Sequence, residues 1–375
     1  MTEFSKNGCL LVNGTEFFPV GLFSVPHAKA FPHLRDAGFN LVHSYEFERT
    51  CFINLQSIDH SFLLKEGLGD EAAAEYLDEA EKWGLKVMLG FDRTTQLHDR
   101  GDDIPAEQEE AMTGRVAMMK DKPALLAWYT VDEPDMSYKN ITEKKCIHAR
   151  DIVRKTDPNH PTLISMFHES KFEIFKDTAD IILHDLYVFP GGNAKDVPNN
   201  IISMRKQTNG ERPIWFTVQA FDWKHYNWDG PSVVPSYDQK RCLTYLAIIA
   251  GAKGILFFSY ENETHSNAPD KAPEQWAELS AISKQLHTLQ PVLQQSFTEA
   301  TISFDGEIYS ASTTYDGSIY LFCANSGDTL IKGNIAPDIT DNYEVEVLFE
   351  DRKIKPNRDG LYDEFGPYAD RKSVV

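Results

Sequence analysis

Eight short apolar, β-prone runs stand out in the first three quarters of the sequence, at 18–24, 40–46, 86–92, 125–132, 162–167, 180–187, 214–219 and 254–260. Most of them end in groups that can hold or move a proton. In chain order the ends carry Tyr45 and Glu46, Asp92, Asp132 and Glu133, His168 and Glu169, Asp185 and Tyr187, Gln219, and Tyr260 and Glu261. Carboxyl groups gathered on one rim can divide the work of proton donor and of base or nucleophile, provided that their surroundings set their pKa values apart. A single acid at a strand end is usually a solvated loop residue or a helix cap, but acids at most of the ends together call for a shared site.

Parallel strands joined by helices would bring those ends together, because a parallel sheet needs a crossover between each pair of strands. Ala72, Tyr76, Ala80 and Trp83 recur at helical spacing, and Gly84 supplies a stop. Ser236 and Gln239 form a possible capping box ahead of Leu243, Leu246, Ala247 and Ala250, with Gly251 as the second stop. Eight strand and helix units within 1–290 fit a closed (β/α)8 TIM barrel better than an open doubly wound sheet. Leu10 to Asn13, Gly14 and Thr15 read as a hairpin closing the barrel floor. From 291 to 375 the texture changes to alternating runs at 301–304, 308–313, 319–324 and 343–349, which predict a small C-terminal antiparallel β domain packed on the barrel. Residues 370–375 read as a loose tail, and Trp83 and Trp276, on helical faces, read as core.

The segment Ala127-Trp128-Tyr129-Thr130-Val131-Asp132-Glu133-Pro134 resembles the fourth-strand motif of clan A glycoside hydrolases, an apolar strand with an early Trp that ends in Asn-Glu-Pro or a near variant. Leu11-Val12-Asn13-Gly14 with Phe17-Phe18-Pro19-Val20-Gly21, the stretch ending Asp36-Ala37-Gly38-Phe39-Asn40, and Gly251-Ala252-Lys253-Gly254-Ile255 are similar to that clan in pattern. The resemblance implies a glycosidase cleaving an O-glycosidic bond, with Glu133 as general acid/base and Asp132 in the place of the clan's Asn. Such cleavage needs a second carboxylate, or a substrate group, on the other side of the anomeric carbon.

The seventh run departs from the clan, because Gln219 stands where its nucleophilic Glu would be. An amide cannot be that nucleophile, although it can hydrogen-bond a sugar hydroxyl. Asp185 or Glu261 would then supply the second carboxylate. Alternatively, Asp132 would orient a substrate acetamido group, as adjacent Asp-Glu pairs do in substrate-assisted hexosaminidases. A barrel that binds carbohydrate without cutting it, an engineered Glu to Gln change, and an unrelated metal-free lyase or isomerase remain as further readings.

Aromatic residues offer platforms for sugar rings. Phe221, Trp223, Tyr226 and Trp228 follow the seventh run, and Tyr187 and Phe189 the sixth. With Gln219, Tyr260, Glu46 and Asp92, the residues Tyr187, Trp223 and Trp228 are the expected substrate contacts, and an oligosaccharide or polysaccharide is the expected partner. A net charge of -20 argues against nucleic acid or an anionic membrane, and no apolar run reaches the roughly 18–20 residues of a membrane span. Five scattered cysteines form no C-x-x-C pair and read as buried thiols; twelve histidines show no compact metal spacing, so no metal or cofactor is implied. The amino terminus carries no signal-peptide core, as expected of a cytoplasmic protein or of a secreted one whose signal has been removed.

Overall fold

A computed structural model describes residues 3–47, 69–91, 102–226, 229–261, 268–303, 306–336 and 343–375, with the side chains of Glu46, His225 and Tyr226 left aside. The chain begins with the expected hairpin, β1 (Leu10–Val12) and β2 (Thr15–Phe17). The barrel follows as β3 (Val20–Leu22), β4 (Leu41–His43), β5 (Lys86–Gly90), β6 (Leu125–Val131), β7 (Thr162–Met166), β8 (Ile181–Asp185), β9 (Ile214–Gln219) and β10 (Ile255–Phe258). Each strand pairs in parallel with its neighbour in sequence, and β10 closes back on β3. All eight runs read from the sequence are therefore strands of one closed barrel.

Helices cover the outside: α1 (Phe31–Asp36), α2 (Asp70–Lys82), α3 (Ala106–Met119), α4 (Glu143–Thr156), α5 (Phe172–Phe175), α6 (Asp196–Gln207), α7 (Tyr237–Ile249), α8 (Pro273–Thr288) and the short α9 (Gln290–Leu293). The Ser236–Gln239 capping box is complete at the start of α7, and Gly84 follows α2 with φ +64°. Trp83 corrects the expectation of a core residue, since it is 40% exposed and donates its indole N–H to Glu79 at 3.1 Å. Trp276 does pack inward, against Tyr260 and His33.

Strand residues alternate between two destinations, as a period of two requires, with a break in β6, whose register is irregular and whose Leu126 and Trp128 face opposite ways. Leu22, Val42, Leu89, Trp128, Ile164, Ile182, Phe216 and Phe257 face the helices. Leu41, Met88, Leu126, Leu163, Leu183, Trp215 and Leu256 fill the barrel, closed below by Leu10 with Val12 and Phe17 of the hairpin. Trp215 dominates this inner layer. A Cβ on Gly254 would lie 2.8 Å from its indole, so only glycine lets the neighbouring strand pass. Followed upward, the inward series turns polar: Leu163 leads to Ser165, Leu183 to Asp185, and Trp215 to Thr217 and Gln219.

Beyond α9 the chain forms β11 (Thr301–Ser303), β12 (Ile308–Tyr315), β13 (Ser318–Asn325), β14 (Ile331–Ala336), β15 (Val345–Val347), β16 (Arg352–Ile354), β17 (Leu361–Phe365) and β18 (Asp370–Val374). This is the expected small antiparallel β domain, a six-stranded sheet with a two-stranded one beside it. It packs on α7, where Tyr245 lies against Phe322 and Cys242 Sγ meets Asn325 O at 3.2 Å. The expected loose tail is overturned, because β18 pairs with both β13 and β15. Its polar sequence is reconciled with burial by charge pairing: Asp370, fully buried, accepts from Arg241 and Lys372, and Lys372 sits 4.1 Å over the Tyr245 ring.

Candidate active site

The polar tops of β6, β7, β8 and β9 meet at the carboxyl end of the barrel, the end at which barrel enzymes carry their chemistry. A cleft of about 210 Å³ opens there, lined by Tyr45, Asp132, Glu133, Met136, Tyr138, Phe167, Asp185, Tyr187, Phe221, Trp223 and Phe258. Its aromatic wall is built edge to face. Tyr187 meets Phe221 at 4.9 Å between ring centroids, Phe221 meets Trp223 at 5.0 Å, and Phe221 meets Phe258 at 5.5 Å. Beneath them Phe23 stacks on Tyr45, which is carried by the turn Tyr45–Phe47. Arg115, fully buried, fixes that turn by donating to Phe47 O at 2.6 Å and to Gly90 O at 2.8 Å.

Three inward groups hold the acidic pair that ends β6. Tyr129 Oη donates to Asp132 Oδ1 at 2.5 Å, and Ser165 Oγ donates to the same oxygen at 3.3 Å. Lys139, from the turn Ser137–Lys139, donates to Asp132 O at 2.7 Å, to Asp132 Oδ2 at 3.1 Å and to Glu133 Oε2 at 3.4 Å. Ser165 also accepts the backbone N–H of Glu133 at 2.9 Å. Glu133 itself has φ +44°, a left-handed conformation that an ordinary residue keeps only where its surroundings demand it. Just beyond, buried Asp135 accepts the backbone N–H groups of Phe167 and His168, tying the loop after β6 to that after β7.

The electrostatics follow from this enclosure. Burial and then the charge of Asp132 push the Glu133 carboxyl up to about 7, with Lys139 pulling the other way. Asp185, 4% exposed, is pushed well above the carboxylate range by burial and by Glu133, with the Thr217 hydroxyl nearby pulling the other way. Its Oδ1 has no hydrogen-bond partner among the described residues. The cleft thus holds a carboxyl that titrates near neutrality and a second that keeps its proton well above the usual range.

Of the residues named from the sequence, Asp132, Glu133, Asp185, Tyr187 and Trp223 come together in this cleft. Gln219 does not line it. It is fully buried, and its amide is spent on the loop after β8: Nε2 donates to Phe189 O at 2.6 Å, while Oε1 accepts from Phe189 N at 3.0 Å. The expected substrate contact by Gln219 is corrected to a backbone clamp. Tyr260 turns outward onto Trp276 and so is corrected from substrate contact to packing, with Glu261 beside it bound through its backbone N–H to Ser24 O. Neither lines the cleft. Glu46 belongs to the turn Tyr45–Phe47, but its side chain, like Asp92 and Trp228, lies outside the described residues. Met136, Tyr138, Phe167 and Phe258, which line the cleft, and Lys139, Ser165 and Thr217, which border it, are residues that the sequence did not single out. The period-two register from Leu163 and Trp215 would have found Ser165 and Thr217.

Cys9, Cys146, Cys242 and Cys323 are buried thiols. Among the described residues no helix is long and apolar enough to cross a membrane.

No family model matches the sequence, and no curated protein does. Solved structures do match the fold. A protein described as a glycoside hydrolase superposes with a TM-score of 0.68 at 14% identity, covering 100% of this chain and 96% of its own. The β-galactosidase from Bacillus circulans sp. alkalophilus gives 0.65 at 8% identity, with 95% and 98% covered. The α-amylase from Geobacillus thermoleovorans, complexed with acarbose, gives 0.61 at 8% identity, also with 95% and 98% covered. The fold of this chain, a closed (β/α)8 barrel with a small carboxyl-terminal β domain, is one that these glycoside hydrolases share.

Proposed function

We propose that the protein is a glycoside hydrolase acting on an oligosaccharide or polysaccharide, with Glu133 as the proton donor to the leaving oxygen. The observation that carries this reading is the Glu133 carboxyl, enclosed with Asp132 in an aromatic cleft and pushed up to about 7. A general acid works best with a pKa near the operating pH, and an isolated glutamic acid would have lost its proton there. Asp132, gripped by Tyr129, Ser165 and Lys139, orients substrate beside it. Asp185 is the second acid. Burial and Glu133 favour its protonated form; it would act on the anomeric carbon only after releasing that proton to solvent, and positive charge developing there favours the ionised form. Tyr187, Phe221 and Trp223 supply faces and edges on which a pyranose can pack.

The deep burial of Asp185 favours a second reading, in which a group of the substrate itself takes the place of that carboxylate and Asp132 orients it. The test is hydrolysis of aryl glycosides and natural oligosaccharides, with and without 2-acetamido groups, by wild type, Glu133→Gln and Asp185→Asn. Glu133→Gln is expected to lower turnover on unactivated substrates by roughly 10²-fold or more, and well-activated leaving groups should suffer less. Equal rates for wild type and Glu133→Gln would remove Glu133 from the role. Full activity of Asp185→Asn on acetamido sugars alone would select the second reading.

A further inference from the structure

At the opposite end of the barrel, a second cleft of about 240 Å³ lies where β9 and β10 begin. The amino-terminal segment at Lys6 to Gly8, the end of α6, and Ser296 and Phe297 ahead of the β domain complete its walls. Four cations line it, Lys6, Arg205, Arg212 and Lys253, and among the described residues no carboxylate does. In a chain of net charge -20 this concentration of positive charge is against the general trend. Arg212 is accounted for by Asp177 at 3.1 Å and Ala179 O at 2.9 Å. Arg205 and Lys253 form no ion pair among the described residues.

Lys253 is 9% exposed, and its ammonium donates to Gln295 O at 3.0 Å, one of the three bonds it can make. Arg205 gives one guanidinium N–H to Ala250 O at 3.0 Å. That contact, at the carboxyl end of α7, explains one donor of a group that has five. Burial pushes both side chains down from their ordinary values, and the charge of Arg205 adds to the effect on Lys253. Glu16 and Glu299 act on them only from beyond ion-pair distance. Gly251, at φ +95°, makes the approach possible, because a Cβ there would fall 2.2 Å from Arg205 Nη1. Two partly buried, mutually repelling cations with unspent donors facing one polar cleft are the complement of a compact anion.

We propose that this cleft is a binding site for a small oxyanion of the phosphate class, held chiefly by Arg205 and Lys253, with Lys6 at its rim. It is separated from the aromatic cleft by the full height of the barrel, so an occupant would act on the protein from a distance rather than as substrate. Because Arg205 joins α6 to α7 and Lys253 joins β10 to the segment leading into the β domain, an anion between them would brace these elements together.

The test uses the whole chain and inorganic phosphate, titrated calorimetrically and by thermal unfolding at ionic strength held constant with chloride. Saturable binding of one phosphate and a rise in Tm are expected. Lys253→Gln and Arg205→Gln should each weaken binding about tenfold or more, as loss of a charge-assisted contact does. Lys6→Gln, at an exposed position, should weaken it about two- to threefold and keep the fold intact whatever the buried substitutions do. Glu133→Gln should bind phosphate like wild type, which distinguishes this cleft from the aromatic one. Phosphate without effect beyond chloride would overturn the proposal, as would unchanged affinity in well-folded Lys253→Gln and Lys6→Gln.

Discussion

Lys139 Nζ stands 3.4 Å from Glu133 Oε2, and the same ammonium bonds both the backbone and the carboxylate of Asp132. One buried cation thus serves two adjacent acids from a turn six residues downstream. It steadies the pair against mutual repulsion, and it holds Glu133 lower than burial and Asp132 alone would set it. If Glu133 donates its proton in the reaction, activity falls as pH rises through its pKa, near 7. Lys139→Met removes the lowering influence, so the alkaline limb of the kcat/KM profile should move to higher pH while the maximum rate drops. A profile that keeps its alkaline limb in place would separate Lys139 from Glu133.

Trp223 closes the aromatic wall against Phe221 and Tyr187 at 5.0 and 6.0 Å. Its indole lines the cleft, and as the proposed platform for a sugar ring it would contribute to ground state and transition state alike. Trp223→Ala is expected to raise KM several-fold and to change kcat little, the signature of uniform binding. Steady-state kinetics on an oligosaccharide check this; a fall in kcat at constant KM would mean that the ring positions the reacting groups.

The barrel was legible because its code is redundant. Each strand is an apolar run with the right length and spacing, and the interleaved helices carry their own caps, as at Ser236 and Gln239. The acids of the site were legible for a related reason, that Asp132, Glu133 and Asp185 sit where apolar strands stop. What escaped is held by tertiary contact alone. Lys139 looks like any loop lysine until the turn Ser137–Lys139, followed by Asn140 at φ +51°, folds it back on the acids. The segment ending Lys372-Ser373-Val374 reads as a solvated tail because the charges that make it an interior strand, Arg241 and Asp370, come from positions 129 residues apart. Gln219 misled through its place in the strand order. Position nominated it for the substrate, and only the packed loop at Phe189 explains why an amide is there.

That clamp sets the expected effect of Gln219→Glu. A carboxylate keeps the acceptor for Phe189 N but loses the donor, and it turns an oxygen toward Phe189 O and Phe221 O in place of the amide N–H₂. Leaving buried acceptors without donors costs about 1–3 kcal/mol each, and more where a charge is buried. Gln219→Glu should therefore lower Tm and create no new retaining activity. Thermal unfolding and the product anomer followed by NMR test both halves. A stable variant that gains hydrolysis with retention would show that residue 219 faces the sugar after all.

Glu133→Gln should make the protein more stable at alkaline pH even as it removes the proposed proton donor. In the folded chain the Glu133 carboxyl titrates near 7, above its ordinary value of 4.5, so between those values the folded state binds the more protons. The stability this group contributes is then fully present below about 4.5 and is lost as pH rises through the folded pKa, because ionising this buried group beside Asp132 is unfavourable. Asp185, pushed upward by burial and by Glu133, contributes in the same direction. Glutamine keeps the shape of the side chain and never ionises, and Lys139 retains its bonds to Asp132. Urea denaturation of wild type and variant at pH 5 and pH 8 should give a difference that is small at pH 5 and in favour of the variant at pH 8. A parallel pH dependence in the two proteins would mean that Glu133 ionises freely in the folded chain, and the case for it as a proton donor at neutral pH would fail with it.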